Sequence, residues 1–404
     1  MKVFILTLGC PKNIVDSERL AGQLLSEGHE ILPEPEGADL IILNTCAFIS
    51  EAEEEAKNYI KRLVKIAPVA AIGCLPARRP RARRVYGPAP RETDAILALA
   101  GRIFRDPDEG TRLLDPYPYA YLKVAEGCSR RCSFCVIPLI RGRLRSRRKD
   151  DLLEEARALV ELGKKEIILV AQETTQFGRD TGERLEDLLA ALDRIEGDFW
   201  LRLMYIHPGG MTRSLASTLA SLDHLVPYIH MPVQHLSDRV LRAMGRAGGE
   251  RAVRRSLSLI RKYLPDAFLR TEVMVGFPGE TDEDFRSLAD GIASGLFQRV
   301  AVFPFYRERG SRAWAMKPLS RETISERYAE AQNLARALHI RVQKGLVGKE
   351  LRLLVDEPGL ARTVYDAPEV DFSVRIPKGL APGNFLKARI SSVDGEGDLE
   401  AVIS

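Results

Sequence analysis

Ala125-Glu126-Gly127-Cys128-Ser129-Arg130-Arg131-Cys132-Ser133-Phe134-Cys135 sets three cysteines in a CxxxCxxC spacing, directly after the apolar run Tyr121-Leu122-Lys123-Val124-Ala125. Three thiolates this crowded can hold three irons of a cubic 4Fe-4S cluster and leave the fourth iron open for chemistry. A zinc knot is the alternative, but such sites pair Cys-x-x-Cys units and take a fourth Cys or His nearby. The nearest downstream histidine is His207. The asymmetric spacing and the aromatic Phe134 before the last cysteine favour the cluster.

At 404 residues, 45% of them hydrophobic, the chain can build two or three domains with proper cores. No apolar run approaches the roughly 20 residues of a membrane span, and Met1 opens into a short apolar stretch that ends at Gly9-Cys10, so neither membrane insertion nor a signal peptide is expected. The expected location is cytoplasmic. A net charge of +4 does not by itself announce a nucleic-acid partner. Six cysteines in a reducing compartment are not expected to form disulfides. They divide into a crowded set, Cys128, Cys132 and Cys135, and a dispersed trio, Cys10, Cys46 and Cys74.

The amino-terminal segment alternates buried strands (Val3 to Leu8, Leu40 to Leu43, Val69 to Ile72) with amphipathic helices (Asp16 to Glu27, Ser50 to Ile66), the pattern of a small parallel sheet. Each strand runs into one cysteine of the trio. Ligands collect at the carboxyl ends of strands in open parallel sheets, so the trio can ligate a second cluster, again with one iron free. The alternative is three separate buried cysteines acting as small hydrophobes. Pro76 to Arg91, with Arg78, Arg79, Arg81, Arg83 and Arg84 around Pro80, is expected to be a short exposed basic linker. A short helix, Glu92 to Phe104, follows it.

From Tyr121 to about Arg309, six apolar runs alternate with helical patterns, which suits a partial barrel of (βα)6 type. The crowded cysteines follow its first strand and so fall at the functional face. Leu319 to Gln343 is expected to be a long helix. From Leu346 short strands and turns predict an all-β barrel. Counting Gly345 to Ser404 gives 7 Lys and Arg against 10 Asp and Glu, a poor surface for phosphate. The expected architecture is therefore α/β and multidomain: a small parallel α/β sheet domain over 1–115, a TIM-like partial barrel over 116–344 and an all-β barrel over 345–404.

An open-iron cluster at the mouth of a partial barrel resembles the radical S-adenosylmethionine superfamily. The order of the three domains, ending in a barrel of TRAM type, is similar to that of its methylthiotransferases. Leu8-Gly9-Cys10-Pro11-Lys12-Asn13 with Val15-Asp16-Ser17-Glu18 resembles the branch that modifies a ribosomal protein; tRNA-modifying members have Gln-Met in place of Pro11-Lys12. Further matches are Asn44-Thr45-Cys46, Ile140-Arg141-Gly142, Ala171-Gln172-Glu173-Thr174-Thr175, Val275-Gly276-Phe277-Pro278-Gly279-Glu280-Thr281 and Asp366-Ala367-Pro368-Glu369-Val370-Asp371. The resemblance implies insertion of a methylthio group at the β-carbon of an aspartate in small-subunit ribosomal protein S-twelve. It implies two 4Fe-4S clusters: one on Cys128, Cys132 and Cys135, cleaving S-adenosylmethionine to a carbon radical, and one on Cys10, Cys46 and Cys74, presenting sulfur. A second S-adenosylmethionine would give the methyl group, and an external electron donor and sulfur source are needed. Phe134, Gln172, Arg202 and Gln234 would line the cosubstrate pocket. On this reading the acidic tail attracts a basic protein substrate, through Glu357, Glu369 and Asp371 among others, and disfavours tRNA. A tRNA methylthiotransferase and a non-enzymatic iron-sulfur protein are the competing readings; the latter would normally supply four cysteines per cluster. His230 stands where the family often has an aspartate, and a satisfied core histidine is the simpler account of it.

Overall fold

The computed structural model describes residues 1–81, 83–105 and 112–403. Its amino-terminal sheet has the order Glu30–Leu32, Lys2–Thr7, Leu40–Thr45, Val69–Gly73, Val85–Tyr86; the first four strands are parallel and the last is antiparallel. Alternate side chains go to opposite faces. Leu40, Ile42, Ala70 and Ile72 pack under the helices Pro11–Ser26 and Thr93–Arg105, while Ile41, Leu43, Val69 and Ala71 pack under Ser50–Leu63. The two edge strands, short and half-exposed, lack the apolar runs that announce the central three.

The arginine-rich segment is only partly the exposed linker expected of it. It begins with a short helix, Cys74–Arg78, and the Arg78 guanidinium is buried against Glu308 while donating to the Ala47 carbonyl at 2.6 Å. Arg79 reaches Glu53 at 3.2 Å. Burial of partnered arginines is invisible to a reading of composition, because the partner lies hundreds of residues away.

Six parallel strands form the partial barrel as two three-stranded sheets, ordered Trp200–Leu203, Glu166–Val170, Tyr119–Lys123 and Tyr228–His230, Phe268–Val275, Arg299–Pro304. A single bridge from Leu201 to Leu225 leads from one sheet toward the other. Outward side chains such as Leu122, Leu169, Leu203 and Val273 meet the helices in the largest core. Inward ones mix an apolar cluster, with Tyr121, Ile168, Val170 and Phe268, and buried polar groups: Lys123, Glu166, Arg202, His230, Arg270 and Glu272 are each paired.

The tail closes as a five-stranded barrel, Glu350–Glu357, Leu360–Thr363, Val374–Arg375, Leu399–Ile403 and Phe385–Val393, after the helix Arg321–Lys344. It stoppers the amino-terminal ends of the larger barrel's strands. Arg362 binds Glu166 at 2.7 Å, Arg299 binds Asp366 and Asp371, Tyr228 donates to Asp371 at 2.6 Å, and Phe268 stacks on Tyr365. This corrects the expected role of one acidic residue. Asp371 is buried among Arg270, Arg299 and Tyr228 and is not free to attract a basic protein, whereas Glu369 accepts from Tyr121 at 3.0 Å and stays exposed.

Glu155, on the helix Lys149–Glu161, accepts from Arg19 at 3.0 Å and from Arg112 and Arg147 at 2.6 Å each, tying the first domain to the second. Burial alone would raise its carboxyl, but Arg147, Arg112 and Arg19 hold it down at about 2. A depressed acid contributes stability above its ordinary value near 4.5, and that stability is lost as pH falls through its folded value. Glu155→Gln should therefore cost about 3 kcal/mol at neutral pH and flatten the loss of stability below about pH 4.5. Urea unfolding followed by circular dichroism from pH 7 to pH 2.5 checks both.

Candidate functional site

The trio assembles where three neighbouring strands end. Gly9, before Cys10, has φ +102°, and a Cβ there would stand 2.8 Å from the Cβ of Cys46. Only glycine lets these two cysteine loops approach so closely. Asn13 ties the loops together, donating from Nδ2 to the Leu8 carbonyl at 3.0 Å and the Thr45 carbonyl at 3.1 Å. Asn44 returns a bond to the Asn13 carbonyl at 2.9 Å, and Thr45 accepts from the Leu75 amide at 3.0 Å. The three thiols share one electrostatic field. Burial pushes Cys74 up to about 11, with Cys10 and Cys46 adding to the rise. Burial likewise raises Cys46, whereas at Cys10 it is overcome by Lys12 and Arg141, which draw that thiol down.

The crowded set rides on a loop pinched shut by antiparallel pairing of Ala125–Glu126 with Arg145–Ser146. Gly127 has φ +74°, and a Cβ there would lie 2.1 Å from the Arg143 carbonyl, so any side chain would prise the loop open. Cys128 Sγ accepts from the Arg130 amide at 3.4 Å and from Gln176 Nε2 at 3.3 Å; Cys135 Sγ accepts from the Ile137 amide at 3.4 Å. Burial pushes Cys135 up to about 12 and also raises Cys128. A buried thiol ringed by N–H donors suits a metal-bound thiolate, which the metal deprotonates outright. Among the described residues no three His, Cys, Asp or Glu side chains converge on a single metal ion. A four-iron cube takes one thiolate per iron, so its cysteine ligands need not converge on one ion.

Between the two sets lies a buried, charge-balanced cluster. Arg141 donates from Nη1 to Asp16 and to Glu126, both at 2.9 Å, and from Nη2 to Asn13 Oδ1 at 2.5 Å and Cys74 Sγ at 3.6 Å. Lys123 binds Asp16, and reaches Glu126 at 3.1 Å. Burial alone would raise Glu126, but Arg141 and Lys123 hold it down at about 2. Asp16, Asn13 and Cys74 belong to the first domain; Lys123, Glu126 and Arg141 flank the crowded cysteines. The second cysteine loop thus touches the trio directly.

Around the mouth, Gln172 Oε1, Arg130 Nη2 and His207 Nε2 are buried without a hydrogen-bond partner among the described residues. His207 Nδ1 accepts from the Gly209 amide at 2.9 Å, which assigns its proton to Nε2. Burial, with Arg246, Arg130 and Arg179 nearby, lowers His207 to about 2, so that ring is neutral. Unsatisfied donors and acceptors on one rim are what a polar cosubstrate would meet. Gln172 reaches Glu126 at 2.8 Å, and Phe134 packs on an apolar cluster with Met244 and Phe277. Gln234 sits in a left-handed backbone, φ +72°, exchanging backbone bonds with Glu272 and Met274. Arg202 departs from expectation. Its guanidinium is held deep in the lumen by Glu166 at 2.5 Å and the tail's Val364 carbonyl at 3.2 Å, away from the rim. His230 is only half satisfied: Nε2 meets Glu272 at 3.1 Å and Arg270 at 2.8 Å, and Nδ1 has no partner. Sequence reasoning assigned no role to Lys123, Glu126, Arg141 and Tyr205. The available signal was charge inside an apolar strand, at Lys123 and Glu126.

Family models match three parts of the chain: Uncharacterized protein family UPF0004 over residues 2–89, the Radical SAM superfamily over 122–292 and the TRAM domain over 347–403. The chain is 37% identical to the ribosomal protein uS12 methylthiotransferase RimO of Akkermansia muciniphila, over 97% of each chain. It is 37% identical to the RimO of Aquifex aeolicus, over 97% of this chain and 95% of that one. Among solved structures, the radical S-adenosylmethionine methyltransferase TsrM from Kitasatospora setae, with cobalamin and a 4Fe-4S cluster bound, overlays with a TM-score of 0.54. It has 16% identity and covers 75% of this chain and 74% of that chain, a likeness of fold.

Arg141→Met leaves Asp16 and Glu126 short of a cation in a dry site and should cost about 3–5 kcal/mol on urea unfolding. In a chain whose Cys128, Cys132 and Cys135 are all Ala, the same change should lower the iron retained after anaerobic reconstitution, read by iron and sulfide analysis.

Proposed function

The chain belongs to the family of ribosomal protein uS12 methylthiotransferases, RimO, and from that premise we propose that it adds a methylthio group to an aspartate of uS12. The observation that carries the reading is the meeting of two cysteine trios, each from its own domain, across Arg141, which reaches Cys74 Sγ at 3.6 Å. One set alone would serve radical chemistry. Two sets in contact suit a reaction that must both open a C–H bond and deliver sulfur to the resulting carbon.

Cys128, Cys132 and Cys135 would hold a cluster with an open iron, and Cys10, Cys46 and Cys74 a second one. When bound, the first with S-adenosylmethionine supplies a carbon radical able to take hydrogen from an unactivated carbon, and the second supplies sulfur. The chain's own residues prepare that chemistry. Gln176 and the Arg130 and Ile137 amides stabilise negative sulfur at the crowded set. Lys12 and Arg141 do so at the trio. Gln172, Arg130 and His207 offer unpaired polar atoms to a cosubstrate at the rim, and Phe134 offers an apolar face. Asp16, Glu126, Lys123 and Arg141 fix the distance between the two sets. The tail barrel stoppers the far end of the lumen, so that reactive species meet protein there instead of bulk water.

The deciding experiment is mass spectrometry of uS12 and of tRNA after anaerobic incubation with the reconstituted chain, S-adenosylmethionine, sulfide and a reductant. A methylthio increment on uS12 is expected; an increment on tRNA alone would overturn the substrate. Cys135→Ala should abolish 5′-deoxyadenosine formation. Cys46→Ala should retain it while stopping the methylthio increment, and equal defects in the two variants would sink the division of labour.

A further inference from the structure

Lys12 is a buried cation that pairs with no carboxylate among the described residues. It stands two residues after Cys10, in the first turn of the helix Pro11–Ser26, and is 7% exposed. Its ammonium makes no hydrogen bond or ion pair with any described residue; it lies over the Tyr205 ring, whose centroid is 4.1 Å from Nζ, and acts on the Cys10 thiol through its charge. Neighbouring cations are differently placed. Lys123 and Arg141 divide Asp16 and Glu126 between them, and Arg270 takes Glu272 and Asp371. No carboxylate is left for Lys12. An ammonium withdrawn from water is tolerated only when something compensates it, and an aromatic face compensates it in part.

Tyr205 is held in place at some expense to the backbone. It follows the strand Trp200–Leu203 with φ +61°, a left-handed conformation that a tyrosine rarely adopts. Thr174 fixes it, donating from its amide to the Tyr205 carbonyl at 3.2 Å and from its hydroxyl to the preceding Met204 carbonyl at 2.7 Å, and the ring leans on His230 with centroids 4.9 Å apart. Its phenol makes no hydrogen bond with any described residue. The strained backbone therefore presents an aromatic face to Lys12 and an unpaired hydroxyl at the barrel mouth, on the side where the trio sits.

We propose that Lys12 and the Tyr205 hydroxyl form a receptor for the side-chain carboxylate of the protein substrate, placing the acid group so that its neighbouring carbon lies between the two cysteine sets. This deepens, and rests on, the reading of the chain as acting on an aspartate of uS12. A carboxylate supplies the anion that the buried ammonium lacks, and accepts from the phenol as well. An amide of the same shape would leave the ammonium uncompensated, so the pair selects aspartate against asparagine.

The test uses the full chain, reconstituted anaerobically with iron and sulfide, and uS12 in two forms: as it stands, and with the modified aspartate replaced by asparagine. Binding of each is read by fluorescence anisotropy. The parent chain should prefer the aspartyl form by about tenfold or more, the scale of one charge-assisted hydrogen bond. Lys12→Met should lose that preference by weakening the aspartyl form alone, Lys12→Arg should keep most of it, and Tyr205→Phe should reduce it. The thermal midpoint of Lys12→Met should equal or exceed that of the parent, because an uncompensated charge has been removed; a lower midpoint would mark a structural lysine and overturn the assignment. A preference that survives Lys12→Met also overturns it. So does a Lys12→Met chain that binds both forms equally weakly, which would confine Lys12 to its part in stabilising the Cys10 sulfur. If the parent chain modifies tRNA and binds neither form of uS12, the ribosomal-protein reading itself has failed.

Discussion

Two carboxylates and two cations, Asp16, Glu126, Lys123 and Arg141, are locked together with almost no access to water, and the rest of the site depends on them. Their charges cancel. Burying ions is expensive unless each finds its opposite with good geometry, and removing one member leaves a bare charge in a dry place. The cluster therefore works as a register device: the first domain can dock on the barrel mouth only where Asp16 falls between Lys123 and Arg141. That same docking brings Arg141 to Cys74 and Asn13, so the distance between the two cysteine sets is set by ionic contacts and not by the loops that carry the cysteines.

The barrel is stoppered at both ends by the same kind of interaction. At the carboxyl ends of the strands the first domain supplies Asp16 to Lys123. At the amino ends the tail supplies Arg362 to Glu166, and Asp371 to Arg270 and Arg299. Between these ends Tyr121, Ile168, Val170, Tyr228 and Phe268 pack as an apolar cluster with Leu354 and Ala367 of the tail. Burial alone is not directional, and the ion pairs specify which domain covers which end. Part of the tail's acidity, at Asp356, Asp366 and Asp371, belongs to this internal pairing.

Much of this could be read along the chain. The six barrel strands, the three parallel strands that run into cysteines and the closed tail barrel follow from runs of apolar residues and from turn chemistry, which are local signals. The grouping of Cys10, Cys46 and Cys74 was legible because parallel strands all end on one edge. Edge strands such as Glu30–Leu32 and Val85–Tyr86 were not legible, being too short to carry a period. Nor were the pairings Arg78 to Glu308, Arg202 to Glu166 and Asp371 to Arg299, which join residues far apart in sequence. An arginine in a basic run looks solvated until its partner is known. For the same reason Arg202 looked available to a cosubstrate when it is spent on holding the tail.

Both cysteine sets combine backbone amides with cations, each drawn from what its own loops and neighbours offer. The crowded loop is tightly turned, so backbone amides of Arg130 and Ile137 point at their own sulfurs, and neutral N–H dipoles stabilise charge there. At the trio, backbone amides of Asn13 and Lys12 serve Cys10 and that of Phe48 serves Cys46. Cations add to them: Lys12 and Arg141 draw down Cys10 against the burial that raises Cys46 and Cys74. Dipoles hold a fixed charge with little reach beyond the loop, whereas cations attract any further anion that enters. Lys12 and Arg141 therefore favour an incoming anion at the trio, as Arg246, 3.9 Å from Cys132 Sγ, does at the crowded set.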